Sequence, residues 1–348
     1  MNIKKTKIAV VLRCACKNAA KDLPLFGYTA LERMKKSIES AGFYFAGYKM
    51  DGCVQDFDII IEIDDLYPLL SRNDLTEILD YFIFCRENII KFFGGFIMKT
   101  ANFIKRDYHY TLEKYFSMEN AVALTTENFD KIIKALQSKI LNAHIINDVL
   151  FMSTENVHID EDVKIGTGTV IYSDCYIRGK SVIGNNCVIC QGSCIDNCKI
   201  FDNVKIVSSS IAESEIGSGV SIGPYANIRP KSVIGENCKI GNFVEIKKSK
   251  VASNTKISHL AYVGDADIGK NCNIGCGVIF CNFDGKSKHN TIVGDNVFVG
   301  SNCNLIAPVK IENNAFIAAG TTVTDNVLEN AFCIGRSRQL NKFKKIKN

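Results

Sequence analysis

The stretch IDEDVKIGTGTVIYSDCYIRGKSVIGNNCVICQGSCI, residues 159–195, decides how most of this chain folds. An isoleucine falls at every sixth position of it: Ile159, Ile165, Ile171, Ile177, Ile183, Ile189 and Ile195. A step of six matches neither the period of an amphipathic helix nor the alternation of a strand. It matches a coil of short strands in which each aliphatic residue points inward. The glycine that often follows, as in Ile165-Gly166 and Ile183-Gly184, turns the corner. Small residues four places after the aliphatic one, Thr169, Cys175, Ser181, Cys187 and Ser193, fit beside the stack. Three faces of such strands make a triangular prism, a hexapeptide-repeat parallel β-helix.

Outward from this stretch the register lapses in an irregular patch at Phe201–Ser210 and returns at Ile216, Ile222, Ile228, Ile234, Ile240 and Ile246. A third run follows at Val293, Val299, Leu305, Ile311, Ile317 and Val323. Lys247–Ser258 is polar and interrupts the prism, although Val251 and Ile257 keep the step. Residues 281–290 (CNFDGKSKHN) offer no inward aliphatic residue and are rich in turn formers, so they should loop out. The spacing of Cys187, Cys190, Cys194 and Cys198 suggests a metal site. However, Cys187 occupies the small interior position, as do Cys175 and Cys238, and zinc sites favour paired Cys-x2-Cys units. These cysteines read as apolar filler and no metal is expected.

Residues 1–150 carry no repeat. Ile8–Leu12 and Asp58–Ile63 read as buried strands, and Tyr28–Ala41, Leu75–Phe84 and Glu127–Leu141 as helices, the first ending at Gly42. Alternation of this kind argues for a small α/β domain. The expected organisation is therefore an α/β domain over 1–150, a β-helix over 151–338 and a basic tail over 339–348.

Composition fits a globular protein, with 47% hydrophobic and 23% charged residues. The apolar run Asn88–Met98 is interrupted by charge and glycine and is too short to span a bilayer. No secretory signal pattern opens the chain, so the fifteen cysteines read as reduced thiols in a cytoplasmic protein. The net charge of +5 lies largely in Lys342–Lys347. A frayed, solvated tail explains it better than nucleic-acid or membrane binding, and neither partner is expected.

His259 is one of five histidines and stands inside the array, in Ser258-His259-Leu260-Ala261-Tyr262-Val263-Gly264-Asp265. A lone histidine on a repeat more often fills a corner than performs chemistry. What singles this one out is its surroundings: IGPYANIRP (222–230), IGNFVEIKKS (240–249), SHLAYVGDADIG (258–269), NCNIGCGVIFCNFDGKSKH (271–289), TIVGDNVFVGSN (291–302), IAPV (306–309), IAAGTTVTDNV (317–327) and IGRSRQLNK (334–342). With these motifs the chain from Gly223 to Arg338 closely resembles the acetyltransferase half of the bifunctional N-acetylglucosamine-1-phosphate uridyltransferase/glucosamine-1-phosphate acetyltransferase family.

That resemblance implies a left-handed β-helix, a homotrimer with its active site between subunits, and acetyl-coenzyme A as acetyl donor to glucosamine-1-phosphate in the making of UDP-N-acetylglucosamine and peptidoglycan precursors. His259 matches the family's general base, a role suited to an imidazole at neutral pH. Arg229 and Lys247 match its phosphate-binding pair, and Lys288 a further basic residue of that site. Tyr262 and Asn273 match residues that hydrogen-bond the sugar. Cys276, Ser301, Ala319 and Arg336 match positions along the coenzyme, and Asn282 and Phe283 of the loop are counted with them. Two positions depart from the pattern. Phe283 replaces a tyrosine, and Cys276 replaces an alanine with a bulkier, oxidisable side chain.

The first domain faintly resembles the family's pyrophosphorylase domain, through Ile8–Leu12, Leu23-Pro24-Leu25 and Asp64-Asp65, as a truncated nucleotidyltransferase-like unit. It is much shorter. Where the family has a glycine-rich nucleotide loop this chain has Arg13–Ala20 (RCACKNAA), without a glycine, and glycine is what lets backbone amides close on a triphosphate. Loss of uridylyl transfer is therefore expected. Two other readings stay open: transfer to a different amino sugar, and a non-catalytic regulator that binds sugar phosphate or coenzyme A. A metal-dependent hydratase is disfavoured, since His158, His259 and His289 do not share a coil position.

Overall fold

Like stacks on like in this chain. Ile171 lies beside Ile189, Ile189 beside Ile206, and Ile177 beside Ile195, all in parallel register and all buried. The structure, a computed structural model, describes residues 6–12, 25–46, 56–63, 67, 69–85, 89–92, 95–99, 112–114 and 128–342. From Leu150–Phe151 to Phe332–Cys333 the described strands form three parallel sheets of eleven, ten and nine strands. These sheets are the faces of a parallel β-solenoid. Each strand bonds to the strand one coil away, so the ladder satisfies backbone groups that burial would otherwise leave orphaned. Within a strand the polar residue faces out and the aliphatic one faces in, as in Lys164-Ile165 and Lys199-Ile200.

The patch at 201–210 is irregular in sequence and regular in space. Ile195 pairs with Ile211 and Ile200 with Ile216, and all four are buried. Here the turn from one aliphatic residue to the next is shortened, with a single left-handed residue such as Asn197 (φ 50°), Ser208 (φ 41°) or Glu213 (φ 41°) at each corner. Nor does the polar segment 247–258 break the prism. Lys250–Val251 and Lys256–His259 are strands within it, with Val251 and Ile257 buried.

Residues 281–290 do leave the coil. Stacked positions are 17 residues apart just before them and 25 apart across them. The cysteines Cys175, Cys187, Cys198, Cys238, Cys272 and Cys303 are buried. Burial pushes the Cys175 and Cys198 thiols up to about 11, which keeps them neutral and inert.

The chain divides into two compact units, residues 1–140 and 141–348. The first is a small α/β unit. Its six described strands are β1 (Ile8–Leu12), β2 (Tyr44–Phe45), β3 (Ile59–Ile63), β4 (Ile89–Phe92), β5 (Gly95–Lys99) and β6 (Leu112–Lys114), in the sheet order β2-β1-β3-β5-β4-β6. β1, β2 and β3 are parallel, and β5 runs antiparallel to both β3 and β4. The apolar run thus contributes two paired antiparallel strands, β4 and β5, to this sheet, where the sequence reading excluded only a membrane span.

One face of the sheet, with Val10, Leu12, Ile59 and Ile61, packs on the helices α1 (Ala30–Ser40), α2 (Arg72–Cys85) and α3 (Phe129–Ile146) through Met34, Ile38, Leu75, Ile78, Ile132 and Leu136. Thr29 starts α1 with a capping box: its hydroxyl accepts from the Glu32 amide and its own amide donates to the Glu32 carboxylate. The glycine-free segment 13–20 and Asp64-Asp65 lie outside the described residues.

Candidate functional site

His259 is the last residue of a strand on the eleven-stranded sheet, Lys256–His259. Leu260 follows with a left-handed φ of 42°, and the chain turns onto the ten-stranded sheet at Tyr262. Later coils place Gly277, Asn302 and Gly320 at this corner, residues that accept that backbone readily. A leucine there is strained by about 1–2 kcal/mol. The turn leaves the His259 side chain exposed at the prism's edge. One coil earlier, in register with it, stands Asn242, whose Oδ1 lies 2.6 Å from His259 Nδ1. An amide oxygen can only accept, so Nδ1–H is the donor.

The ten-stranded sheet supplies the cations. Arg229 directly follows the strand Asn227–Ile228, and Lys247 ends the strand Glu245–Lys247 one coil on. Arg229 Nη1 is 2.8 Å from Glu245 Oε1, a half-exposed pair. Lys288 reaches the same place from the extruded loop. Its side chain, within hydrogen-bonding reach, pushes the Lys247 ammonium below its ordinary value, with smaller contributions from Arg229 and Lys248. Like charge is therefore crowded here where no burial forces it to be, and of Arg229, Lys247 and Lys288 it is Arg229 that is paired with the Glu245 carboxylate.

The loop is built to hold Lys288 there. Phe283 and Lys288 form an antiparallel bridge, closed at its tip by Asp284. The Asp284 carboxylate accepts from the amides of Ser287 and Lys286, both at 2.7 Å, and from His289 Nε2 at 2.6 Å. Those bonds hold Asp284 far below the usual carboxylate range, the Ser287 amide contributing most. The base of the loop is anchored by Asn282, which is buried. Its Nδ2 is 2.5 Å from Asp265 Oδ2 and 3.5 Å from the Tyr262 hydroxyl, while its carbonyl accepts from the His289 amide. Tyr262 lies over Gly264, where a Cβ would come within 2.5 Å of the tyrosine oxygen.

Above His259 the same corner carries Cys276, Ser301 and Ala319 in successive coils. The amides of Gly277, Asn302 and Gly320 donate to the carbonyls of Leu260, Cys276 and Ser301, at 2.8, 2.7 and 2.8 Å. All three side chains are exposed, and Arg336 Cδ lies 3.6 Å from where a Gly320 Cβ would stand, so Arg336 ends the column. Asn273 is on this face, between Lys256 and Phe298. Phe298, Phe316 and Phe332 continue its row outward as a ladder of rings 4.6 and 5.2 Å apart.

Within one chain the expected site residues fall on two sheets that meet at the Leu260 corner. His259 and the column above it belong to the eleven-stranded sheet, and Arg229, Lys247 and Tyr262 to the ten-stranded one. Asn242, Asp265 and the phenylalanine ladder escaped the sequence reading. A coil length of 17 residues, subtracted from 259, would have found Asn242.

Residues 211–284 match the GMPPB C-terminal domain family, and residues 290–325 match the bacterial transferase hexapeptide family of six repeats. The bifunctional protein GlmU of Listeria monocytogenes serotype 4a is 53% identical over 209 residues, which are 60% of this chain and 46% of that protein. Over its C-terminal part this chain is similar to GlmU. GlmU of Clostridium kluyveri is 46% identical over 209 residues, with the same coverage. The chain thus spans about half the length of the GlmU proteins that it matches. Among solved structures, the UDP-N-acetylglucosamine acyltransferase of Francisella novicida aligns at 23% identity with a TM-score of 0.36, over 50% of this chain and 62% of that one.

Proposed function

We propose that the solenoid is an acetyl-coenzyme A-dependent N-acetyltransferase acting on glucosamine-1-phosphate in a cytoplasmic homotrimer, with His259 as general base. The observation that carries this reading is the crowding of Lys247, Lys288 and Arg229 beside one another at the surface. Such an arrangement is unfavourable until an anion enters it, and a phosphate dianion can take charge-assisted hydrogen bonds from all three. Tyr262 and Asn273 then hold the sugar. The exposed Cys276, Ser301 and Ala319 leave room for a slender arm along the corner, and Arg336 at the end of the column suits a phosphate at the far end of it. A subunit contact that sets the His259 face of one copy against the cation face of another joins the two groups.

Bound acetyl-coenzyme A supplies the acetyl group as a thioester. His259 Nε2 takes a proton from the acceptor amine as its nitrogen bonds the thioester carbonyl carbon. The ring returns that proton to the departing sulfur, so a carbon–nitrogen bond replaces a carbon–sulfur bond. The α/β unit has no part in this step, and the reading assigns it no uridylyl transfer. Loss of thioester absorbance on mixing the protein with acetyl-coenzyme A and glucosamine-1-phosphate tests the reading. Turnover is expected, with no UDP-N-acetylglucosamine formed when UTP and N-acetylglucosamine-1-phosphate are supplied instead. Preference for another amino sugar would move the acceptor, and silence with every amino sugar would leave a binding protein.

The cluster also sets a pH dependence. The Lys247 ammonium titrates below an ordinary lysine, so between its folded value and about 10.4 the unfolded chain binds more protons and stability rises with pH. Phosphate binding runs the other way, because it needs the ammonium charged. KM for the sugar phosphate should climb on the alkaline side, and in Lys247→Arg that climb should start at higher pH. Identical KM–pH profiles for the two proteins would remove Lys247 from the site.

A further inference from the structure

Asn242 sits 17 residues before His259 and meets it across one coil. From this contact, and on the reading of His259 as a base, we infer that Asn242 is the positioning residue that fixes which ring nitrogen carries the hydrogen. At Gly241 a Cβ would lie 1.8 Å from the Ser258 carbonyl oxygen, so only glycine lets these two coils close at this point. That closure puts residue 242 beside residue 259, and the Leu260 amide secures it by donating to the Asn242 carbonyl at 2.9 Å.

The Asn242 amide oxygen then accepts from Nδ1–H at 2.6 Å. A neutral imidazole has one hydrogen, so holding it on Nδ1 leaves the lone pair on Nε2, the nitrogen at the tip of the ring. Without this acceptor the ring is free to populate the other tautomer, whose tip donates a proton and cannot take one. The neighbouring Leu260 turn fixes the chain direction, and among the described residues Asn242 is the hydrogen-bond partner of the His259 side chain. An amide differs from a carboxylate here in one respect. It orients the ring without adding a charge that would favour the imidazolium.

The test separates this inference from the reading on which it rests. Ring nitrogen shifts in 15N-labelled full-length protein, assigned to His259 by comparison with His259→Gln, report the tautomer without any substrate. The wild type should show the Nδ1–H form, and Asn242→Ala a mixture of both. Wild-type protein in the Nε2–H form, or an Asn242→Ala spectrum like wild type, would overturn the inference. In turnover, Asn242→Ala should lower kcat about 10- to 100-fold with little change in KM. Asn242→Asp should keep the tautomer and move the acidic limb of the kcat/KM profile upward by about one pH unit, through the added charge. A purely structural role would move neither the limb nor the ring shifts. Correct tautomers in a protein that turns over no amino sugar would instead sink the catalytic reading and leave the contact standing.

Discussion

Replacing His259 by alanine should abolish most acetyl transfer and leave the protein folded. A positioned general base contributes about 10²- to 10⁴-fold to a rate, or roughly 3–5 kcal/mol of transition-state stabilisation, and the variant should lose a factor of that size in kcat. KM for both substrates should stay within about twofold, because the proton is transferred in the transition state and not in the bound complex. The fold is spared because the side chain is exposed and projects from a corner. Its strand is held by the buried Ile257 and by ladder bonds to both neighbouring coils, none of which involves the imidazole. Steady-state kinetics and a thermal melt check the two halves. A variant with unchanged kcat would remove the base, and a variant that unfolds would mean the corner depends on the ring.

The second large effect belongs to the cations. Lys247→Ala and Lys288→Ala should each raise KM for glucosamine-1-phosphate about 10- to 100-fold, the scale of one charge-assisted hydrogen bond to a phosphate. The double variant should lose more than the product of the two, because each single loss is softened in a way the double loss is not. Removing one ammonium relieves the repulsion on the other, so the sites are coupled in the free protein. A control separates recognition from general damage: with unphosphorylated glucosamine as acceptor the same substitutions should leave KM nearly unchanged. Equal losses with both acceptors would place the cations outside the phosphate site.

The two parts of the molecule differ in how far sequence could show them. A six-residue step is written directly into the solenoid, because every coil buries the same kind of residue in the same place. Ile159 to Ile195 was enough to announce the prism. The patch at 201–210 hid its regularity because corners may be one residue shorter without disturbing the stack. Period counting is sensitive to length, while packing is sensitive only to which residue ends up inside. The pairing of β4 with β5 was hidden for a related reason. The length of an apolar run decides whether it can span a bilayer but not how its two halves, β4 and β5, pair with each other.

At the site, motif resemblance picked out His259, Arg229, Lys247 and Lys288 from one dimension of sequence. It could not reach Asn242 or the Asp265–Asn282 strut, because their significance lies in which coil rests against which. Nor could it show that His259 and the cations stand on different faces, a fact of the corner at Leu260.

The regular offset between stacked residues has a further consequence, for how the molecule comes into being. In a solenoid each coil touches only the coils before and after it, so structure can grow from one end while the rest of the chain is still being made. Gly241 and Asn242 leave the ribosome before His259 does, and a finished coil is waiting when His259 arrives. The groups of the proposed site are in this sense assembled in order, and the loop with Lys288 is added after His259 is seated.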